Sequence, residues 1–302
     1  MYTVAMSATS ELASFRYTGV SLSLFGRGRN VEFMNKLIYL WLAVKTVFCT
    51  CQPDHRTNHF KKVNAHYKNS KIGKLPAVAS ESSGLAKGPQ PGTFWTHNDS
   101  GGKPELYLFD LDGKLLDTKA VPNAKNTDWE DLAQDGEGNI YIGDFGNNTS
   151  QRSTFDIYRF NPESNSSEHI TFHYQAAAPD CEAFFYHRGS LYLFSKNWGK
   201  NKWVKLYRLP AEQGDHTIAA SDSIRIDAQV TSAAIGPDGK TFALLTYGKV
   251  LLFETAGDNI DFSKPKGCFR FSRKQTEAIE FLNNTDMLIT NEQGGFYRTT
   301  FR

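Results

Sequence analysis

Asp128-Trp129-Glu130-Asp131-Leu132-Ala133-Gln134-Asp135-Gly136-Glu137-Gly138-Asn139-Ile140-Tyr141-Ile142-Gly143-Asp144 reads as one β-hairpin. A short strand over Glu130–Ala133 meets the turn signal Asp135-Gly136-Glu137-Gly138, and a β-prone return strand, Ile140-Tyr141-Ile142, ends on the polar Asp144. A third strand centred on Tyr158 and a fourth over His169–Tyr174 follow it. The same template recurs along the chain. Its first strands are Ser83–Ala86, Glu130–Ala133, Glu182–Phe185, Ser232–Ile235 and Glu277–Glu280, spaced by 47, 52, 50 and 45 residues. Its third strands centre on Tyr107, Tyr158, Tyr207, Leu252 and Tyr297, spaced by 51, 49, 45 and 45. Two columns that hold one period mean repeated four-stranded units, the signature of a β-propeller. Fourth strands are legible at Lys114–Val121, His169–Tyr174, Ser223–Asp227 and Cys268–Ser272, but the fifth unit reaches Arg302 without one. Lys71-Ile72-Gly73-Lys74-Leu75 supplies it. The expected fold is therefore an all-β, five-bladed β-propeller over 71–302, its last blade completed by an N-terminal strand; six blades is the alternative.

The 302 residues are 40% hydrophobic and 13% aromatic, with 24 Gly spread along the chain, which excludes collagen-like, coiled-coil and wholly disordered classes. A net charge of +2 gives no reason to expect nucleic acid as a partner, and a monomer is expected. Ahead of the repeats, residues 1–33 read as an upstream or unstructured leader. Residues 34–51 read as an export signal of the lipoprotein type: Met34-Asn35-Lys36, the short apolar run Leu37–Val44, then Cys49 and Cys51. Cys51 is the preferred lipidation site and Cys49 its rival, and Gln52–Ser70 is expected to be a tether. These features predict an extracytoplasmic protein, anchored to the cell-envelope membrane by lipid. Cys181 and Cys268 are expected to be buried thiols.

Alternating strand direction places the start of strand one and the end of strand two on one face, around the axis. The first ring is Ser83, Glu130, Glu182, Ser232 and Glu277, and the second is Asn98, Asp144, Ser195, Thr246 and Asn291. Asp99, Asp128, Asp131, Asp180, Lys196 and Glu292 are immediate neighbours. Three Glu and one Asp in a narrow channel need a cation, and oxygen donors suit Ca²⁺ or Mg²⁺, so Glu130, Asp144, Glu182 and Glu277 are the candidate metal ligands. Long polar loops beside them carry Asn98, Lys103, Asn147, Arg152, Lys196 and Lys200, candidate contacts for a small anionic or carbohydrate ligand. An enzyme at this mouth would be a metal-dependent hydrolase of phosphate esters or lactones, with His97, Asp99 or Glu292 as the base. Ser100 lacks a nucleophile-elbow context, and Trp95, Trp129 and Trp198 are all candidates to stack on a sugar, with Trp95 and Trp129 suiting blade packing equally well.

Trp95-Thr96-His97-Asn98-Asp99-Ser100-Gly101, Asp128–Ala133, Gly143-Asp144-Phe145-Gly146-Asn147 and Asp180–Phe184 resemble a family of Bacteroidota-type envelope β-propellers, many of them lipoproteins, over about 75–302. More distantly the chain is similar to the phytase-like esterases and the gluconolactonase/regucalcin propellers. That similarity implies Ca²⁺ held by Glu130, Asp144, Glu182 and Glu277. Those groups have six blades where five are read here, so their catalytic residues are not carried over.

Overall fold

Repeats of this length must pair within themselves, since each hairpin brings its own partner strand. In the computed structural model, which describes residues 49–198, 201–273 and 275–302, they do so as five sheets. The described chain opens with a short helix, α1 (Gln52–Asn58), β1 (Lys61–Lys62), a 3₁₀ turn (Asn64–His66) and β2 (Tyr67–Lys74). Blade one is β3 (Ala86–Lys87), β4 (Thr93–Thr96), β5 (Glu105–Asp110) and β6 (Leu115–Ala120). Blade two is β7 (Trp129–Gln134), β8 (Ile140–Asp144), β9 (Phe155–Asn161) and β10 (Ser166–Tyr174). Blade three is β11 (Cys181–His187), β12 (Ser190–Ser195) and β13 (Trp203–Pro210); β14 (Gly214–Ile218) then crosses to pair in parallel with β10 before β15 (Ala220–Arg225) completes the sheet. Blade four is β16 (Val230–Ile235), β17 (Thr241–Thr246), β18 (Gly248–Glu254) and β19 (Pro265–Phe271), with β1 in parallel on its edge. Blade five is β20 (Thr276–Phe281), β21 (Met287–Asn291) and β22 (Gly295–Phe301), and β2 is its outer strand. The ring is five-bladed and closed by the N-terminal strand, as the repeat predicts.

Alternate residues of each blade pack on the next. Phe242 and Phe253 stack at 4.7 Å between centroids, and Phe185 lies 5.6 Å from Phe242 across blades three and four. The segment expected as a tether differs. Phe60 is fully buried against Phe253 (5.0 Å), and the buried Lys249 ammonium pairs with the carboxylate of Asp54 on α1. Cys51 Sγ is bonded to Cys268 Sγ. The Cys51 sulfur is thus committed to a disulfide and not free to carry a lipid, and Cys268 is no free thiol. Apolar contact, ion pair and covalent bond together hold 51–60 on blade four. The leader and the apolar part of the signal lie outside the described residues.

Every inner strand breaks register at one place. Trp129 pairs with Asp144, Cys181 with Ser195, Val230 with Thr246 and Thr276 with Asn291, and each ladder then skips before resuming. In blade one Ser82 bridges Asn98 before Ala86 meets Trp95. A bulge turns its extra residue out of the ladder. Those residues are Glu130, Glu182, Thr231 and Glu277, with Ser83 at the matching place. In blade four the bulge falls on Thr231, one residue before the Ser232 expected from sequence.

Ser232 instead belongs to the next layer, where it meets Asp131. Asp131 Oδ2 accepts hydrogen bonds from Ser232 Oγ (3.0 Å) and the Ala233 and Phe184 amides (both 3.2 Å), and Oδ1 accepts from the Leu132 amide. Ser232 Oγ accepts from the Ile279 amide at 3.1 Å. One fully buried carboxylate thereby ties blades two, three and four, and through Ser232 blade five. Beside it blade one comes close through Gly84, where a Cβ would overlap the Leu132 amide and the His97 ring.

Candidate functional site

The bulge places Glu130, Glu182 and Glu277 side by side on the mouth side of the Asp131 knot, each less than a tenth exposed. Lys196, the first residue of the loop after β12, enters among them, with Nζ 2.7 Å from Glu182 Oε1. Its ammonium lies 4.9 Å from the Trp198 ring centroid and 5.8 Å from that of Tyr247. Tyr247 donates its hydroxyl to Glu277 Oε1 at 2.7 Å. Asp180 fixes the rim, accepting from Trp198 Nε1 (2.6 Å) and from the Asn147 amide (2.8 Å).

Seven carboxylates converge here: Asp99, Asp128, Glu130, Asp180, Glu182, Glu277 and Glu292. For Asp99, Asp128, Glu130, Glu182, Glu277 and Glu292 burial disfavours the charged form, and repulsion from neighbouring carboxylates adds to it. Glu130 is raised well above the ordinary glutamate range by burial and by Glu182, and the two carboxyls are hydrogen-bonded to each other. Burial lifts Glu182 to about 7 despite Lys196, and lifts Asp128 to about 6 with help from Asp99. Glu277 and Glu292, also hydrogen-bonded together, are raised by burial. Burial works against the charge of Lys196, but Glu182, Glu277 and Glu130 hold it firmly protonated.

Lys196 divides the cluster. Glu182 has its ammonium, and Glu277 has Tyr247 and Glu292. Asp99, Asp128 and Glu130 form no ion pair among the described residues, although Lys196 acts on Glu130 and Asp99 from farther off, and each of the three offers an oxygen within 4.8 Å of the other two. Glu130, Asp180 and Glu182 form a second such group. Gly146 walls the first group closely, for a Cβ there would overlap the Glu130 and Asp128 carboxylates.

The second sequence ring serves its own loops. Asn98 donates to Val78 O and accepts from the Glu81 amide, Ser195 Oγ accepts from the Lys205 amide, Thr246 donates to Lys249 O, and Asn291 accepts from the Gly295 amide. Asp144, expected to ligate metal, accepts from the Asp128 and Thr127 amides and pairs with Arg152 at 3.0 Å. The reason is general: chain reversal after strand two leaves backbone groups unpaired, and polar side chains at that point satisfy them. Arg152 is consumed by Asp144 and the Gly146 and Asp144 carbonyls; the Asn147 side chain accepts from the Arg152 amide and donates to Pro179 O, while its backbone amide donates to the Asp180 carboxylate. Lys103 stands in solvent 3.8 Å from Glu105, and Lys200 lies outside the described residues. His97 has no exposed surface, packs its ring on Trp129 at 5.5 Å and is held neutral by burial, which lowers it to about 4. Of the three candidate bases, only Asp99 and Glu292 face the mouth cluster. Tyr247 has a role sequence reading missed; the only signal is an aromatic where blades one and three place a charged residue.

The chain matches no known protein family, and no curated protein matches it. Among solved structures it is similar to a catalytically inactive variant of virginiamycin B lyase from Staphylococcus aureus with quinupristin, at 15% identity and a TM-score of 0.41, covering 76% of this chain and 69% of that one. The selenomethionine-substituted lyase gives 14% identity and a TM-score of 0.40 over the same shares. No sequence-level relation to the envelope propellers, esterases or lactonases accompanies these likenesses, and the description of this chain rests on its own topology: a five-bladed β-propeller.

Proposed function

We propose that the mouth binds a divalent cation, Ca²⁺ or Mg²⁺, between Asp99, Asp128 and Glu130, and with it a small polyhydroxylated ligand of the carbohydrate class. The observation that carries this reading is three carboxylate oxygens within 4.8 Å of one another with no close ion pair to any of them among the described residues, next to a Glu182 that has one. All-oxygen donors suit a hard cation, and the close wall at Gly146 leaves the carboxylates facing inward. A bound cation would offset the repulsion and polarise ligand oxygens. The basic residues that would have served an anion are spent: Arg152 on Asp144, Lys196 on Glu182. A neutral polyol fits better. Trp198, half-exposed and with its Nε1 pinned to Asp180, offers a fixed aromatic surface at the rim.

A second reading, a metal-dependent hydrolase of phosphate esters or lactones, draws on Glu182, whose carboxyl exchanges its proton near neutrality beside the same group. Export is proposed as well. The Cys51–Cys268 disulfide supports an oxidising compartment, and Cys49 is the remaining thiol for a lipid in the segment 49–51.

Isothermal titration with Ca²⁺ and Mg²⁺ against wild type and Glu130→Gln tests the cation. Saturable heat in wild type that is lost in the variant is expected, and no heat or thermal shift with either metal refutes the reading. A glycan panel with Ca²⁺ or EDTA then tests the ligand. Turnover of phosphoesters or lactones in a parallel panel would favour the hydrolase.

A further inference from the structure

Beyond the Asp131 knot, at the end of the axis away from the carboxylate mouth, lies a cavity of about 460 Å³ to which all five blades contribute. That is within the usual range for small-molecule sites. Leu132, Phe185 and Ala234 are among its apolar lining residues. Its polar lining includes Gln134, Asp135, His187, Arg188 and Asp238, and one charge pair that joins two blades: Lys87 from blade one and Glu280 from blade five, with Lys87 Nζ 3.7 Å from Glu280 Oε1. Asp135 is engaged by Asn139 and Tyr141, and Arg188 by Asp258. Gln134 of blade two fixes the Lys87 strand by accepting its backbone amide at 2.6 Å.

This half-buried pair differs from the more deeply buried pairs of the propeller. Lys196–Glu182 closes at 2.7 Å and Arg152–Asp144 at 3.0 Å, both within hydrogen-bond contact. Lys87–Glu280 stands open at 3.7 Å with both members lining free space. Burial raises Glu280 to about 7 against the pull of Lys87, so its carboxylate is poorly compensated by the lysine alone. A lone cation would meet the lysine, and a lone anion the glutamate. A molecule carrying both charges on neighbouring atoms answers both.

We propose that this cavity is a second binding site, independent of the mouth, that takes a free α-amino acid with an apolar side chain. Its ammonium donates to Glu280, its carboxylate accepts from Lys87, and its side chain lies against Leu132, Phe185 and Ala234.

Titration of the full chain with L-leucine, L-methionine and L-phenylalanine to millimolar concentration, in EDTA, tests this without the mouth cation. At least one should give saturable heat and a raised Tm. Isopentylamine, which lacks the carboxylate, and 4-methylpentanoate, which lacks the ammonium, should each bind roughly tenfold more weakly or worse, as expected for loss of one charged contact. Glu280→Gln and Lys87→Met should weaken L-leucine by a similar factor. The proposal is overturned if none of the three amino acids binds, if either analogue binds as well as L-leucine, or if both variants retain wild-type affinity. The analogue comparison uses wild-type protein, so it decides the matter even where a variant fails to fold.

Discussion

Replacing Asp131 by alanine removes the acceptor that four donors share at the propeller axis. Three of the donors are backbone amides and cannot turn elsewhere; the fourth, Ser232 Oγ, is held by its own contact from the Ile279 amide. A buried donor left without a partner costs about 1–3 kcal/mol. Three stranded amides therefore cost about 3–9 kcal/mol, and relief of carboxylate desolvation with entry of a water returns part of it. The expected loss is about 4 kcal/mol, a large share of the 5–15 kcal/mol that roughly bounds a domain's stability. At roughly 2–4 °C per kcal/mol for a domain of this size, Tm should fall by about 8–16 °C. Asp131→Asn keeps one oxygen for the three-donor side and turns its amide toward the local Leu132 N–H, so it should lose only about 1–3 kcal/mol. Urea unfolding followed by far-ultraviolet circular dichroism and tryptophan fluorescence measures both. An alanine variant within about 1 kcal/mol of wild type, or an asparagine variant as damaged as the alanine one, would show that the axis is not held by this carboxylate.

Reducing the Cys51–Cys268 bond opens a link across 217 residues, and the chain-entropy view gives about 5 kcal/mol for a loop of that length. Urea midpoints with and without dithiothreitol should differ accordingly, and Cys268→Ser should match the reduced wild type; equal midpoints count against the bond. Asp128 and Glu182 titrate at about 6 and about 7 in the fold, against about 4 in the unfolded chain, so folding favours their protonated forms. That contribution is fully present below pH about 4 and is lost as pH rises to about 7. In EDTA, Tm should therefore fall from pH 5 to pH 7.5, and Ca²⁺ should restore it at the higher pH with release of protons; a flat profile in EDTA refutes the crowding. Lys196→Met strips Glu182 of its buried partner and should cost about 3–5 kcal/mol at pH 7.5, with much of the loss recovered at pH 5 as the glutamates protonate. A loss independent of pH would mean that Lys196 acts through packing alone.

The fold was legible because turn residues and apolar strands repeat together, and because strand-two apolar runs such as Ile140-Tyr141-Ile142 recur in every unit. Even the borrowed strand showed itself, as the one unit lacking a fourth strand. What repetition cannot carry is anything made once. The contact of Phe60 with blade four, the Asp54–Lys249 pair and the Cys51–Cys268 bond join residues far apart in sequence, and no local pattern points to their partners. The polar segment 52–70 therefore read as a tether.

The site divides along the same line. Glu130, Glu182 and Glu277 were legible as one ring because the bulge recurs, and the error at Ser232 came from aligning strands as if the ladder ran without interruption. Asp144 misled for a different reason: a carboxylate at a strand end serves a metal or a turn equally well by sequence, and only the guanidinium of Arg152, eight residues on, decides between them. Lys196 shows the converse. It reads as a mouth-loop cation available to an anionic ligand, yet its stem lets the ammonium reach inward to Glu182, with the Trp198 and Tyr247 rings about it. Ion pairing is therefore concentrated on one side of the mouth. That asymmetry, rather than the number of acids, is what favours the proposed cation site between Asp99, Asp128 and Glu130. If the proposed cation binds there, Lys196→Met should let it shift toward Glu182, read as Ca²⁺ heat that survives Glu130→Gln in the double variant but not in the single one.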